Sequence, residues 1–345
     1  IAGQTGSGKS VCLNSLIASV LLTKYPEEVR LVLIDPKMVE LRAFREVPHL
    51  YTPVVTDMKK APKILEWACT EMDQRYEILA AAGCRDIRSF NELGSSTVKE
   101  RLSEHFIGDE LEQAPTFLPY IVVIIDELAD LMMTTRNGVE NSICRLAQKS
   151  RAVGIHVILA TQRPSVEVIT GLIKSNMPAR IAFRVASKVD ARVVLDQMGA
   201  ERLVGHGDML VMSAKFPTPL RGQGTLVTDR EIESLTKYIR DVAQPEYSAV
   251  LTEVRAAAET AGSSGADRDP LYDEAVQFVL ETRRGSVSML QRKFEIGYTR
   301  SARLVDFMAL DGIVGDFKGS KSREVIMTLE DWEKRRGGAP EAAEQ

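Results

Sequence analysis

From residue 1 to about 245, short apolar runs alternate with longer stretches of helical period. Leu31–Ile34, Ile121–Ile125, His156–Ala160, Arg180–Val185 and Met209–Met212 each suit a buried strand. The first four are almost continuously apolar, as parallel strands covered on both faces require. Amphipathic helices lie between them: about Val11–Thr23, about Pro62–Ala82 and about Val139–Val153. Gly83 and Gly154 follow the last two, and glycine just past the last turn is a common helix stop. Strands alternating with helices predict an α/β fold with a mainly parallel sheet. Residues of about 85–119 are polar and without period, and read as a partly helical excursion.

The pattern then changes. Residues 246–268 include the small, polar run AAAETAGSSGADRD, expected to link two domains. Residues 269–332 predict helices at Leu271–Thr282, Val287–Phe294 and Thr299–Asp311. A hairpin follows, Ile313–Asp316 and Glu324–Met327 around the turn Lys318–Ser322. Three helices and a hairpin in that order are the layout of a winged helix, a helix-turn-helix variant. Residues 333–345 are polar and expected to be a disordered tail.

Two motifs carry chemistry. Gly3-Gln4-Thr5-Gly6-Ser7-Gly8-Lys9-Ser10 fits the phosphate-binding pattern G-x-x-x-x-G-K-[ST] at every fixed position. Glycines let successive backbone N–H groups point at phosphates, and the helix from Val11 adds its positive end. Lys9 is placed to reach the outer phosphates of ATP, and the Ser10 hydroxyl to ligate Mg²⁺. A full buried strand ordinarily precedes such a loop. Only Ile1 and Ala2 precede Gly3, so the expectation is a chain cut from a longer protein.

The second motif, YIVVIIDELADLM, delivers Asp126 and Glu127 at the carboxyl edge of a buried strand, where open α/β sheets bind ligands. Asp126 suits holding Mg²⁺ through its water shell, and Glu127 suits deprotonating the attacking water. The same carboxylates could instead cap the helix that follows. Gln162, after HVILAT, is a candidate γ-phosphate sensor, or simply a side chain bonded to loop backbone. Asp35, ending LVLIDP, is open to either reading. Arg145, Arg151 and Arg163 are candidates for an arginine completing the transition state, and the pattern alone does not choose among them.

GQTGSGKSV, LIDPKMVEL, YIVVIIDELADLM and the long block RLAQKSRAVGIHVILATQRPSVEVITGLIKSNMPARIAFRVASKVDARVVLDQMGAERLVGHGDML together resemble the FtsK/SpoIIIE family of DNA translocases. FEIGYTRSARLVDFMALDGIV is similar to the family's C-terminal winged-helix γ domain. The resemblance implies a RecA-like P-loop motor, residues 1–245, assembled as a hexameric ring that pumps double-stranded DNA during chromosome segregation and division. It implies that the γ domain reads orienting DNA sequences and meets a site-specific recombinase or other division proteins. It also implies a cytoplasmic fragment of a protein anchored in the bacterial inner membrane at the septum. Lys9, Ser10, Asp126 and Glu127 match the family's phosphate, metal and catalytic positions. Arg151 matches the arginine reaching a neighbouring subunit's ATP. Arg163, Lys188 and Arg192 match loops facing channel DNA, which removes Arg163 from the finger candidates. The γ domain usually carries GYNRAAR; here GYTRSAR keeps Arg300 and Arg303 but has Thr299 for the asparagine, so the DNA sequence read is open.

Charge bears on the DNA reading. The net charge of −4 argues against indiscriminate nucleic-acid binding but permits local basic surfaces. Arg283, Arg284, Arg292, Lys293, Arg300 and Arg303 stand against one acid, Glu295, and the turn adds Lys318, Lys321 and Arg323. Arg300 and Arg303 share a helix face near the start of the third helix, where base edges are met. Arg292 and Lys321 suit phosphates. The four cysteines have no metal or disulfide spacing, and no apolar run is long enough to cross a membrane. Two rival classes stay in view: a DNA-binding regulator switched by ATP, and a secretion-type ATPase moving protein. An intact Glu127 weighs against the first, and a basic winged helix against the second.

Overall fold

The computed structural model describes residues 1–106, 108, 112, 114–253, 271–294, 296–315, 323, 325–329 and 332. The chain divides into two compact units, Ile1–Gly262 and Ser263–Gln345.

In the first unit, strands β1 (Val29–Ile34), β2 (Tyr120–Ile125) and β3 (Ile155–Leu159) form a parallel sheet in the order β1-β2-β3. Alternate side chains of β1 leave by opposite faces, and both faces are apolar. Leu31 and Leu33 pack with Leu13 and Ile17 of α1 (Lys9–Thr23) and Ile232 of α8 (Asp229–Val242). Val32 and Ile34 instead join Ile64, Leu65 and Met72 of α2 (Ala61–Ala81) and Ile143 and Leu146 of α5 (Leu128–Lys149). A sheet covered on both faces needs the continuous apolar runs seen in the sequence.

A second sheet holds β4 (Arg180–Phe183), β5 (Asp208–Met212) and β6 (Leu220–Gln223), antiparallel throughout. The strand expected over Arg180–Val185 among the parallel ones ends at Phe183 and is parallel only on its other side, through Ala2. Ala2 bridges Thr161 and Ala182 at once: Ala2 N–H donates to Ile181 O (2.9 Å) and Phe183 N–H to Ala2 O (2.8 Å), while Thr161 N–H donates to Ile1 O (3.0 Å). The two sheets are thereby joined where the phosphate-binding loop begins.

Of three further expectations, the first, a partly helical excursion, holds, and the other two change. The polar excursion contains α3 (Ile87–Asn91) and α4 (Ser95–Leu102), and Ile87, Phe90, Val98 and Leu102 are buried in the larger core. Short amphipathic helices give too few repeats for a period to stand out. The helix expected over Val139–Val153 is α5, which starts eleven residues earlier at Leu128 and is kinked at Thr135 (φ −148°, ψ 59°). It ends at Lys149, because Ser150 turns its hydroxyl to Ile155 O (2.6 Å) and Gly154 takes a left-handed φ of 75°. Third, Leu251 is fully buried in the larger core, so packing continues into the stretch expected as linker. The rest of that stretch, 254–268, and the tail, 333–345, lie outside the described residues.

In the second unit, α9 (Tyr272–Thr282), α10 (Val287–Phe294) and α11 (Tyr298–Leu310) enclose a core of Val276, Leu280, Leu290, Leu304 and Met308. Antiparallel bridges Gly285–Arg323 and Val314–Val325 close it, the base of a wing on a helix-turn-helix. The wing's turn, Lys318–Ser322, lies outside the described residues. Among the described residues, no helix is long and apolar enough to cross a membrane. All four cysteines are free, and only Cys69 is buried.

Candidate active site

The loop Gly3–Ser10 joins the Ile1–Ala2 bridge to α1. Gly6 (φ 76°) and Gly8 (φ 110°) take left-handed backbone that a side chain would strain, and Gly8 caps α1. The loop is braced from the second sheet: Gly207 N–H donates to Ser7 O (2.9 Å), and Gln4 N–H donates to Arg184 O (2.9 Å). A Cβ on Gly8 would lie 2.6 Å from Gly207 N, so the close approach of these two stretches of backbone requires glycine at position 8.

A cavity of about 510 Å³ opens over the loop. Gln4, Thr5, Gly6, Gly8, Lys9, Ser10, Val11 and Gln162 line it. Glu40, Cys12, His206, Gly207 and the segment Gln223–Leu226 complete it. Burial pushes the Cys12 thiol up, so it stays neutral and adds no charge beside phosphates. Gly3 and Ser7 are not among the lining residues; Ser7 is buried beneath the loop with Oγ unpartnered.

Lys9 and Asp126 meet in the interior, 3% and 0% exposed. Lys9 Nζ donates to Asp126 Oδ1 (2.6 Å) and to its carbonyl oxygen (2.8 Å). Asp126 Oδ2 is buried without a hydrogen-bond partner. A buried carboxylate oxygen with nothing bonded to it, beside the lysine of the loop, fits a site able to receive a hydrated cation. Among the described residues no group of three His, Cys, Asp or Glu could hold an ion. Magnesium needs none, since it binds through one or two protein ligands plus phosphate oxygens and water.

Glu127 is 1% exposed and stands between two roles weighed in the sequence. It caps α5, with Oε1 accepting from Ala129 N–H (3.3 Å). Oε1 also accepts from the Thr161 hydroxyl (2.5 Å) and Oε2 from Gln162 N–H (3.0 Å), while Lys37 Nζ lies 4.0 Å from Oε2. The Gln162 side chain reaches the loop, its Oε1 accepting from Thr5 Oγ1 (3.1 Å). Gln162 thus touches both halves of the site. Asp35 is structural: its carboxylate accepts Lys37 and Leu41 N–H and holds the turn after β1.

The arginines separate cleanly. Arg145 pairs with Asp73 of α2 (2.9 Å), away from the cavity. Arg151 is not in the last turn of its helix, as expected, but in the turn beyond Ser150, exposed, and it does not line this chain's nucleotide cavity. Arg163 is exposed, with Nη1 3.8 Å from Met133 Sδ. Lys188 and Arg192 lie one turn apart on α7 (Lys188–Leu195), exposed, opposite the buried Ala191, Val194 and Leu195. In the second unit Arg292 and Arg300 are exposed, and Lys293 lies over the Phe278 ring (5.7 Å). The side chain of Arg303 and all of Lys321 lie outside the described residues.

Sequence reasoning missed Lys37, Thr161 and the Gly205–Gly207 turn. The last left a signal: two glycines flanking His206 ahead of a strand, all three at positive φ (89°, 53° and 92°).

Residues 1–166 match the model of the FtsK/SpoIIIE family, and residues 266–328 that of the Ftsk gamma domain. The chain is 50% identical over 331 residues to the DNA translocase SftA of Bacillus subtilis, covering 96% of this chain and 33% of that protein. It is 50% identical over 327 residues to the DNA translocase FtsK of Bacillus cereus, covering 95% and 40%. The chain therefore spans between a third and two-fifths of the length of these curated relatives. Among solved structures, the pCW3 conjugation coupling protein TcpA, determined with ATPγS, is 27% identical with a TM-score of 0.54, covering 70% of this chain and 63% of that one.

Proposed function

The chain belongs to the FtsK/SpoIIIE family, and from that premise we propose that it is the motor and DNA-reading part of an ATP-driven double-stranded DNA translocase working as a ring. One observation carries the reading: a buried Lys9–Asp126–Glu127 centre under a phosphate loop, in the same chain as a winged helix with exposed arginines.

In this reading Mg²⁺, held by Ser10 and the water shell around Asp126, supplies charge neutralisation at the phosphates. Lys9 exchanges its bond to Asp126 for the outer phosphates, conserving its ionic partner in kind. Glu127 takes the proton of the attacking water, and Gln162, bonded to Thr5 of the loop, senses the γ-phosphate. Arg151 acts on a neighbouring subunit, since it lies off its own chain's cavity. Arg163, Lys188 and Arg192 face DNA in the channel, and the second unit binds it through Arg292, Arg300, Arg303 and Lys321. A hexamer, division proteins as partners, and a membrane anchor on the parent protein belong to the same proposal.

The test is ATP turnover with and without long duplex DNA, together with displacement of a third strand bound to that duplex. Lys9→Ala, Glu127→Gln and Arg151→Ala are expected to lose turnover, and Arg151→Ala to poison mixed rings. DNA-stimulated turnover with no third-strand displacement would sink the motor. Failure of the second unit to bind duplex DNA would return the protein-moving alternative.

A further inference from the structure

The tripeptide Thr161-Gln162-Arg163 makes four hydrogen bonds that bear on the site and that no motif explains. The Thr161 hydroxyl donates to Glu127 Oε1 (2.5 Å) and accepts from Arg163 N–H (3.0 Å). Gln162 N–H donates to Glu127 Oε2 (3.0 Å), and its side-chain Oε1 accepts from the Thr5 hydroxyl of the phosphate loop (3.1 Å). Arg163 carries its guanidinium to the exposed surface.

A carboxylate has about four lone-pair sites, and three donors already occupy Glu127: Thr161, Ala129 and Gln162. Each donor holds the carboxylate in its present orientation and takes up a lone pair that could otherwise accept from the attacking water. The shortest of the three is the Thr161 hydroxyl, and it is itself polarised by the Arg163 N–H that it accepts. Hydrogen bonds in a chain strengthen one another. A shift of Arg163 that withdraws its N–H therefore weakens the hold on Glu127, and the two groups are separated by a single hydroxyl.

We propose that Thr161 is a positioning residue that restrains Glu127 and releases it when the Arg163 loop moves, so that contact at the loop sets the rate of hydrolysis. The identity of that contact as duplex DNA rests on the function proposed above; the restraint of Glu127 does not. Thr161 is 3% exposed: its carbonyl accepts from Gly3 N–H at the start of the phosphate loop (3.2 Å), but its hydroxyl is turned to Glu127 and Thr161 is not among the residues lining the cavity, so the hydroxyl's part is played through Glu127.

The experiment measures turnover of the full chain at saturating ATP, with and without long duplex DNA, for wild type, Thr161→Val and Thr161→Ser. Valine keeps the shape and removes the hydroxyl. DNA-free turnover of Thr161→Val is expected to rise roughly tenfold, the factor that one hydrogen bond to a charged group is worth. Its DNA-stimulated rate stays near wild type, so the stimulation ratio falls toward one, and Thr161→Ser restores the wild-type ratio. Equal scaling of both rates in Thr161→Val overturns the proposal. So does a valine variant that binds fluorescent ATP analogue normally but turns over in neither condition, or a serine variant that behaves like valine. Thr161→Ala, read the same way, serves if valine does not fold. If wild type itself is not stimulated by DNA, the translocase reading fails, while the DNA-free rate of Thr161→Val still reads the restraint on Glu127.

Discussion

Replacing Lys9 with methionine isolates the energetics of the ion pair from catalysis. Methionine keeps most of the length of the side chain and removes the charge. Asp126 then stands at 0% exposure with Oδ1 stripped of its partner and Oδ2 already without one. Removing one member of a buried pair costs about 3–5 kcal/mol, because the remaining charge is left desolvated. For a unit of this size about 1 kcal/mol moves Tm by roughly 2–4 °C, so a drop on the order of 10 °C is expected. Adding Asp126→Asn to Lys9→Met removes the stranded charge and should recover most of that loss. The assay is thermal unfolding of the four members of this double-mutant cycle without nucleotide or Mg²⁺, since ligands that bind the native state add stability of their own. A Lys9→Met variant melting within about 2 °C of wild type, a loss under about 1 kcal/mol, would refute the reasoning. It would mean that water reaches the pair.

Gly8→Ala should weaken nucleotide binding by at least about tenfold, because φ is 110° and the new Cβ meets the backbone of Gly207; titration with a fluorescent nucleotide checks it. His49 is 3% exposed, with Nε2 2.8 Å from Lys24 O, and burial holds its pKa below the ordinary value. A lowered folded value means that the unfolded chain takes the proton first. Its contribution is therefore intact above about pH 6.5 and lost as pH falls toward the folded value. Denaturant unfolding at pH 7.5 and 5.5 should show a slope that His49→Gln flattens, and an unchanged slope would contradict it. Arg292→Ala should weaken duplex binding about equally for all sequences and lower the salt slope by about 1, measured by titration at several salt concentrations.

How much of this was legible in the sequence depended on whether burial was two-sided. β1 and β2 were read to within two residues because every position faces a helix layer. β6, with the sequence LRGQ, is mostly exposed and was missed: an edge strand with a glycine and two polar residues carries no apolar alternation. The phosphate loop and the Asp126–Glu127 pair were legible because each is a contiguous run of residues, although the bond that joins them spans 117 residues. Thr161, Gly207 and Lys37 were not, because what makes them part of the site is a hydrogen bond or charge from 34, 200 or 90 residues away, taking each against its partner Glu127, Ser7 or Glu127. The α5 terminus was misplaced because Arg151 and Ala152 suit a helix, and the stop is a side-chain bond from Ser150 to Ile155 O that leaves no periodic signal.

Glu127 is the cap at the head of α5, and Arg151 follows its tail by two residues. At 1.5 Å per residue a helix of 22 residues measures at most about 33 Å, less whatever the bend at Thr135 takes away. Under the proposed arrangement one rod therefore carries an acid for one nucleotide and an arginine for the next. Their separation is not free to vary: it is the length of a helix, adjustable at a single bend. In a closed ring the spacing between consecutive ATP sites becomes a dimension written into one element, with Thr135 as its only joint among the described residues.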